Sequence, residues 1–197
     1  MQKILFLPIL LFTMLSFSQE QVTAEDFQKE LNEQFANPDK SPLTEEDRLK
    51  FTALEFFPID PDFIIEATLT KAKNEKAFAM KTTTDRMPLY VKYGELSFTI
   101  KGENFKLNVY QNLELIKRKG FKNKLFLPFS DLTSGAETYI GGRYIDLEIP
   151  KGNTIIIDFN KAYNPYCAYN YKYSCPKVPL ENDLTTHINA GVKKFHD

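Results

Sequence analysis

Two carboxylates, Asp146 and Asp158, sit on segments of alternating polarity. In Arg143-Tyr144-Ile145-Asp146-Leu147-Glu148-Ile149 the apolar residues fall at every second position, and Ile155, Ile157 and Phe159 repeat the pattern around Asp158. A hairpin closed by Lys151-Gly152-Asn153 would align these apolar rows and set Asp146 opposite Asp158. Like charges directly opposite each other destabilise a strand pair, so this one calls for solvent, a cation, an arginine or a shared proton. A wet outer face with a basic neighbour is the plainest answer. The richer one is a site for a small polar ligand or a hard cation. A third is a hydrolase that uses Asp146 with Asp158 or Glu137 as acid and base, Arg143 stabilising developing negative charge. Arg86, ahead of an expected strand, could pair with these acids across strands, as could Arg143.

Past Asp158 the chain runs Phe159-Asn160-Lys161-Ala162-Tyr163-Asn164-Pro165, leaving a strand for a loop. Loops held by a rigid sheet are where binding groups usually sit, which makes Asn160, Tyr163 and Asn164 candidates for ligand contact. Asn side chains equally serve to close turns. Five tyrosines lie between positions 163 and 173. They read as packing around a loop, or as a surface with which an envelope interaction protein would meet a partner.

The remaining chemistry is sparse. There is no Gly-x-Ser-x-Gly elbow, no His-Glu-x-x-His pair and no phosphate-cradling glycine loop; Gly141-Gly142 lacks the third glycine. His187 and His196, the only two histidines, fall near the end of the chain and read as surface residues. Two cysteines cannot build a four-thiolate zinc site. Cys167 and Cys175 are close enough in sequence for a disulfide closing a small loop, worth roughly 2–3 kcal/mol on loop entropy. Two buried thiols or part of a metal site are the rival readings.

The elements that must position these groups begin after an address. Lys3 precedes an apolar run, Ile4 to Phe17, and Ser16-Phe17-Ser18 offers small residues where a signal peptidase reads. The expectation is export, with cleavage near Ser18, to the periplasm or outside. The run is too short for a comfortable membrane span, so no stable insertion is expected after cleavage. Lys+Arg 25 against Asp+Glu 26 gives a net charge of -1, which removes the usual electrostatic case for nucleic acid. Absence of Trp weakens the case for a sugar-stacking platform.

Residues 19–53 read as a helical segment. Thr23 and Thr44 are N-cap residues followed by acids, and Phe27, Leu31 and Phe35 recur at helical spacing. Residues 54–197 read as one β-rich domain. The hairpin Leu96–Ile100 and Phe105–Val109 turns at Gly102-Glu103, which suits a type II′ turn and sets Ile100 opposite Phe105. Further strands are expected over 63–70, 77–82, 89–92, 124–127, 138–149 and 154–159. The fold class is mainly β: a single barrel or sandwich of about eight or nine short antiparallel strands. N-terminal helices precede it, and a short C-terminal helix is expected over 184–195.

Longer strings carry a resemblance. Leu54-Glu55-Phe56-Phe57-Pro58-Ile59-Asp60, Leu125–Thr133, Glu137-Thr138-Tyr139-Ile140-Gly141-Gly142-Arg143-Tyr144, Asp158–Tyr169, Ser174-Cys175-Pro176 and Glu181-Asn182 together resemble the family catalogued as domain of unknown function 1684. The likeness spans nearly the whole chain from about Asp47. It implies a grouping, with no activity, cofactor or catalytic residue attached to it.

Overall fold

The structure is a computed structural model and describes residues 22–196; the expected export segment lies outside them. Two helices open the described chain, α1 (Ala24–Ala36) and α2 (Glu45–Lys50). Each starts as its sequence dictates. Thr23 Oγ1 accepts from the Asp26 amide and Thr44 Oγ1 from the Asp47 amide, both at 3.1 Å. Phe35, the last residue of the α1 stripe, is buried against Leu43, Leu54, Tyr169 and Val192.

Seven antiparallel strands follow in a sheet that curls into a half-barrel. They are β1 (Ile64–Lys71), β2 (Phe78–Ala79), β3 (Leu89–Ile100), β4 (Glu103–Asn112), β5 (Lys124–Phe129), β6 (Arg143–Glu148) and β7 (Thr154–Asp158). The order is β6-β5-β4-β3-β1-β7, with β2 pairing on β3. Two expected strands, 89–92 and 96–100, are one continuous β3, which lowers the count. Side chains alternate as a strand requires. Leu96, Phe98 and Ile100 from β3, Leu107 and Val109 from β4, and Leu125 and Leu127 from β5 enter one core.

The β3–β4 hairpin keeps its expected apolar face but not its expected turn. Ile100 pairs with Glu103 and Phe98 with Phe105, so the central residues are Lys101 and Gly102. Both have positive φ, 49° and 84°, the signature of a type I′ turn, whose twist matches the flanking strands. The shift from the expected register is two residues. Because the side-chain period is also two, the buried face survives it.

The β6–β7 hairpin does not form. Asp146 is opposite Phe126 of β5, and Asp158 is opposite Ile64 of β1, at the two ends of the strand order. The alternation in each strand is real, but it serves different neighbours. Ile145 and Leu147 face the core from one edge while Ile155 and Ile157 face it from the other.

The expected C-terminal helix is also absent. Residues 184–196 run as an extended strap whose amides pair with other segments: Leu184 N–H to Ser130 O at 2.8 Å and Val192 N–H to Ala162 O at 2.9 Å. Leu184 and Ile188 have helical spacing, but Ala190 and Val192 are buried too, completing a pattern a strap satisfies. The carbonyls of Ile188 and Ala190, which a helix would use internally, instead accept from Arg143.

A pocket of aromatic rings around Asp146

Of the eight ligand candidates, Asp146 and Tyr163 come together at a pocket, while Asp158 and Asn160 meet in a turn. After β7 the chain makes a short 3-10 turn, Phe159–Lys161, and then returns along the open edge of β6. Tyr144 and Tyr163 exchange backbone hydrogen bonds at 2.9 and 3.0 Å. This bridge lays Tyr163 beside Asp146, and its hydroxyl donates to Asp146 Oδ2 at 3.0 Å.

Both residues face away from the main core. On β5 and β6, Leu125, Leu127, Ile145 and Leu147 point into the core; Phe126, Tyr144 and Asp146, at the intervening positions, point to the opposite side. Over this outer face fold α1 and the loop after Pro165, bounding an open pocket of about 440 Å³. Its rings come from Tyr90, Phe126, Tyr144, Tyr163, Tyr166 and Tyr173. Helix α1 adds Phe27, Leu31 and Gln34, whose Nε2 donates to Tyr166 Oη at 2.6 Å and so fixes the helix to the loop.

Three pairs of these rings meet edge to face, the arrangement that their quadrupoles favour. Phe126 and Tyr144 lie 4.7 Å apart at 73°, Tyr144 and Tyr163 5.9 Å apart at 90°, and Tyr166 and Tyr173 5.2 Å apart at 61°. Tyr144 Oη donates to the Pro176 carbonyl, anchoring the segment that follows the cysteines.

Electrostatics mark the same corner. Solvent reaches Asp146, yet the protein wall around it displaces enough water to push its carboxyl above the ordinary value. The Tyr163 hydrogen bond and the Lys124 charge oppose that rise. Burial pushes the Tyr163 hydroxyl well up, and Asp146 adds to it, so Tyr163 stays a neutral donor. Tyr144 is raised for the same first reason, burial.

The other candidates hold the fold. Arg143 and Asp131 form an ion pair at 2.8 Å with neither side chain exposed, and Arg143 also donates to the Ile188, Ala190 and Val192 carbonyls. Gly142 is what lets β6 begin there. Its φ is 79°, and a Cβ would stand 2.5 Å from the Phe129 carbonyl oxygen. Asp158 accepts from the Asn160 amide at 3.1 Å and pairs with Lys161 at 3.4 Å. Asn160, fully buried, donates to Asp60 O at 2.9 Å and accepts from Asp60 N–H at 3.0 Å. Asn164 Nδ2 donates to Lys193 O at 2.9 Å. Each closes a turn or ties one segment to another. Glu137 is exposed on the loop between β5 and β6 and does not line the pocket. Arg86 is exposed at the pocket margin, its guanidinium on Ser174 Oγ at 3.1 Å and Ser174 O at 2.8 Å.

The expected disulfide is not formed; Cys167 and Cys175 are buried free thiols. The Cys167 N–H donates to Cys175 Sγ at 3.2 Å. The hydrogen bond from Cys175 leads in lowering the Cys167 thiol to about 6, assisted by Tyr139 and Thr83, against burial. The intervening loop is held by its own turns, Asn170 N–H to Tyr166 O and Tyr173 N–H to Asn170 O, and by Tyr169 packed on Phe35. It keeps its shape without a covalent link. Among the described residues, no three His, Cys, Asp or Glu side chains gather as a metal site would need. No helix among them is long and apolar enough to cross a membrane.

Sequence reading missed Tyr90, Phe126, Ser174 and the α1 contribution. One signal was available. In Leu125-Phe126-Leu127 and Arg143-Tyr144-Ile145, aromatic residues occupy the face that alternation assigns to water, where a large ring is out of place unless something covers it.

The family described as a protein of unknown function (DUF1684) matches residues 49–193. The chain is also similar to the solution NMR structure of an uncharacterized protein of Haloarcula marismortui. The two share 34% sequence identity over 86% of this chain and 91% of that one, with a TM-score of 0.68. No curated protein matches.

Proposed function

The chain belongs to the domain of unknown function 1684 family, and since that grouping names no activity, we propose from the site itself that this is a small-molecule-binding protein. The ligand is an organic molecule held among the rings, with a polar end on Asp146 and Tyr163. One observation carries the reading: an aromatic pocket of about 440 Å³ with convergent polar groups on its wall. That volume falls within the usual range for small-molecule sites, and apolar walls with a few placed polar groups are their common makeup. Catalysis by paired carboxylates is less well supported, because Asp158 is committed to Lys161 and a turn, and Glu137 is on another loop. Export, supported by the N-terminal sequence, would put this binding outside the cytoplasm; an intact mass beginning at Gln19 checks it.

The test is chemical-shift mapping with 2-phenylethanol, a neutral probe small enough for the pocket. Backbone amides of Tyr90, Phe126, Asp146 and Ser174 are expected to shift together and saturate by about 10 mM, the weak end of fragment affinity. Shifts scattered over the surface, or none, would sink the reading.

A further inference from the structure

We propose that the ligand is an organic monocation, an alkyl- or arylalkylammonium group caged by the rings and neutralised by Asp146. This rests on the pocket being a binding site and names what it selects.

Among the side chains that line the pocket, Asp146 alone bears a formal charge at neutral pH; no Lys, Arg or His contributes to the wall. The nearby bases are engaged elsewhere. Lys124 lines a smaller neighbouring recess of about 60 Å³ and pairs with Glu148 at 2.7 Å. Arg86 lies outside the lining and is held by Ser174 through two hydrogen bonds. An anion entering the pocket would meet a carboxylate, and the base that acts on that carboxylate, Lys124, stands in the neighbouring recess and is already paired with Glu148. A neutral ligand would leave that carboxylate in a partly dehydrated setting.

The rings supply the complementary half. An aromatic face is electron-rich, and cations within about 6 Å of a ring centroid are attracted to it, most strongly where water is excluded. Tyr144 and Tyr163, 5.9 Å apart and perpendicular, both line the pocket, so its wall presents differently oriented aromatic surfaces. The raised phenols of Tyr144 and Tyr163 do not ionise near neutrality, so they add no charge of their own. Tyr163 donates to one oxygen of Asp146 and keeps the carboxylate beside its own ring. The pocket is larger than a bare ammonium, which leaves room for an apolar tail along Phe27 and Leu31 of α1.

Three probes of one frame test the charge: 2-phenylethylamine, 2-phenylethanol and phenylacetate, titrated into the full chain by NMR. The amine is expected to bind roughly threefold to thirtyfold tighter than the alcohol, with phenylacetate weakest. Asp146→Asn, a solvent-accessible change, removes most of that preference, because it costs the amine more affinity than the alcohol. Tyr173→Leu, at a half-buried ring, weakens the amine more than the alcohol. Should alcohol and amine bind the pocket equally, or phenylacetate bind best, the cation assignment falls while the binding-site reading stands. Should no probe perturb the pocket, both fall together.

Discussion

Arg143 Nη2 donates to Asp131 Oδ2 at 2.8 Å, and neither side chain has any surface in water. Around this pair the C-terminal strap is fastened. Arg143 takes the carbonyls of Ile188, Ala190 and Val192, while Asp131 Oδ1 accepts from the Ile188 amide at 3.2 Å and from Thr133 Oγ1 at 2.7 Å. A residue that the sequence offers as a ligand contact is therefore a clamp between the sheet and the end of the chain.

Breaking that clamp leaves a buried carboxylate unpaired. Arg143→Ala is expected to lower stability by about 3–5 kcal/mol, read as the shift in urea unfolding. Binding of 2-phenylethanol at a temperature where the variant stays folded should be little changed. A variant as stable as the parent but unable to bind would return Arg143 to the site.

Asp146 should behave in the opposite sense. Its folded carboxyl is raised, chiefly by loss of water around it, so its favourable contribution is present at low pH and is lost as pH rises through the raised value. Asp146→Asn has no such loss. Its melting temperature should match the parent at about pH 3 and exceed it near neutrality, the gap opening between those limits. A gap that is constant with pH, or negative at neutrality, would mean that the carboxyl is not held above its ordinary value.

The cysteines should differ in reactivity. Cys175 donates to the Cys167 thiolate, which holds Cys167 at about 6 and drives Cys175 up. Thiol counting on denatured, unreduced protein is expected to find two thiols. In short iodoacetamide pulses resolved by mass mapping, Cys167 should label before Cys175, slowly because both are buried, and its rate should level off above about pH 7. Preferential labelling of Cys175, or a rate still climbing tenfold per pH unit between pH 7 and 8, would contradict this pairing.

What the sequence determined by itself is local. Thr23 and Thr44 cap helices because a hydroxyl within reach of free amides needs nothing else from the fold. The strands alternate because one face must leave water, which identifies Leu96, Phe98, Leu107 and Leu125 as core and the chain as mainly β. Long intact strings such as Glu137–Tyr144 sufficed for the family. Beyond the β3–β4 hairpin, tertiary structure alone decided which strands are neighbours. A period of two is the same whatever lies alongside, so Asp146 and Asp158 could look paired in sequence while standing at opposite ends of the strand order. The burial of Arg143 depends on a strap more than forty residues later in the chain. The pocket draws on α1, three strands and the tyrosine loop, and exists only because the chain past β7 returns to the edge of β6 at Tyr163, an approach that no local pattern encodes.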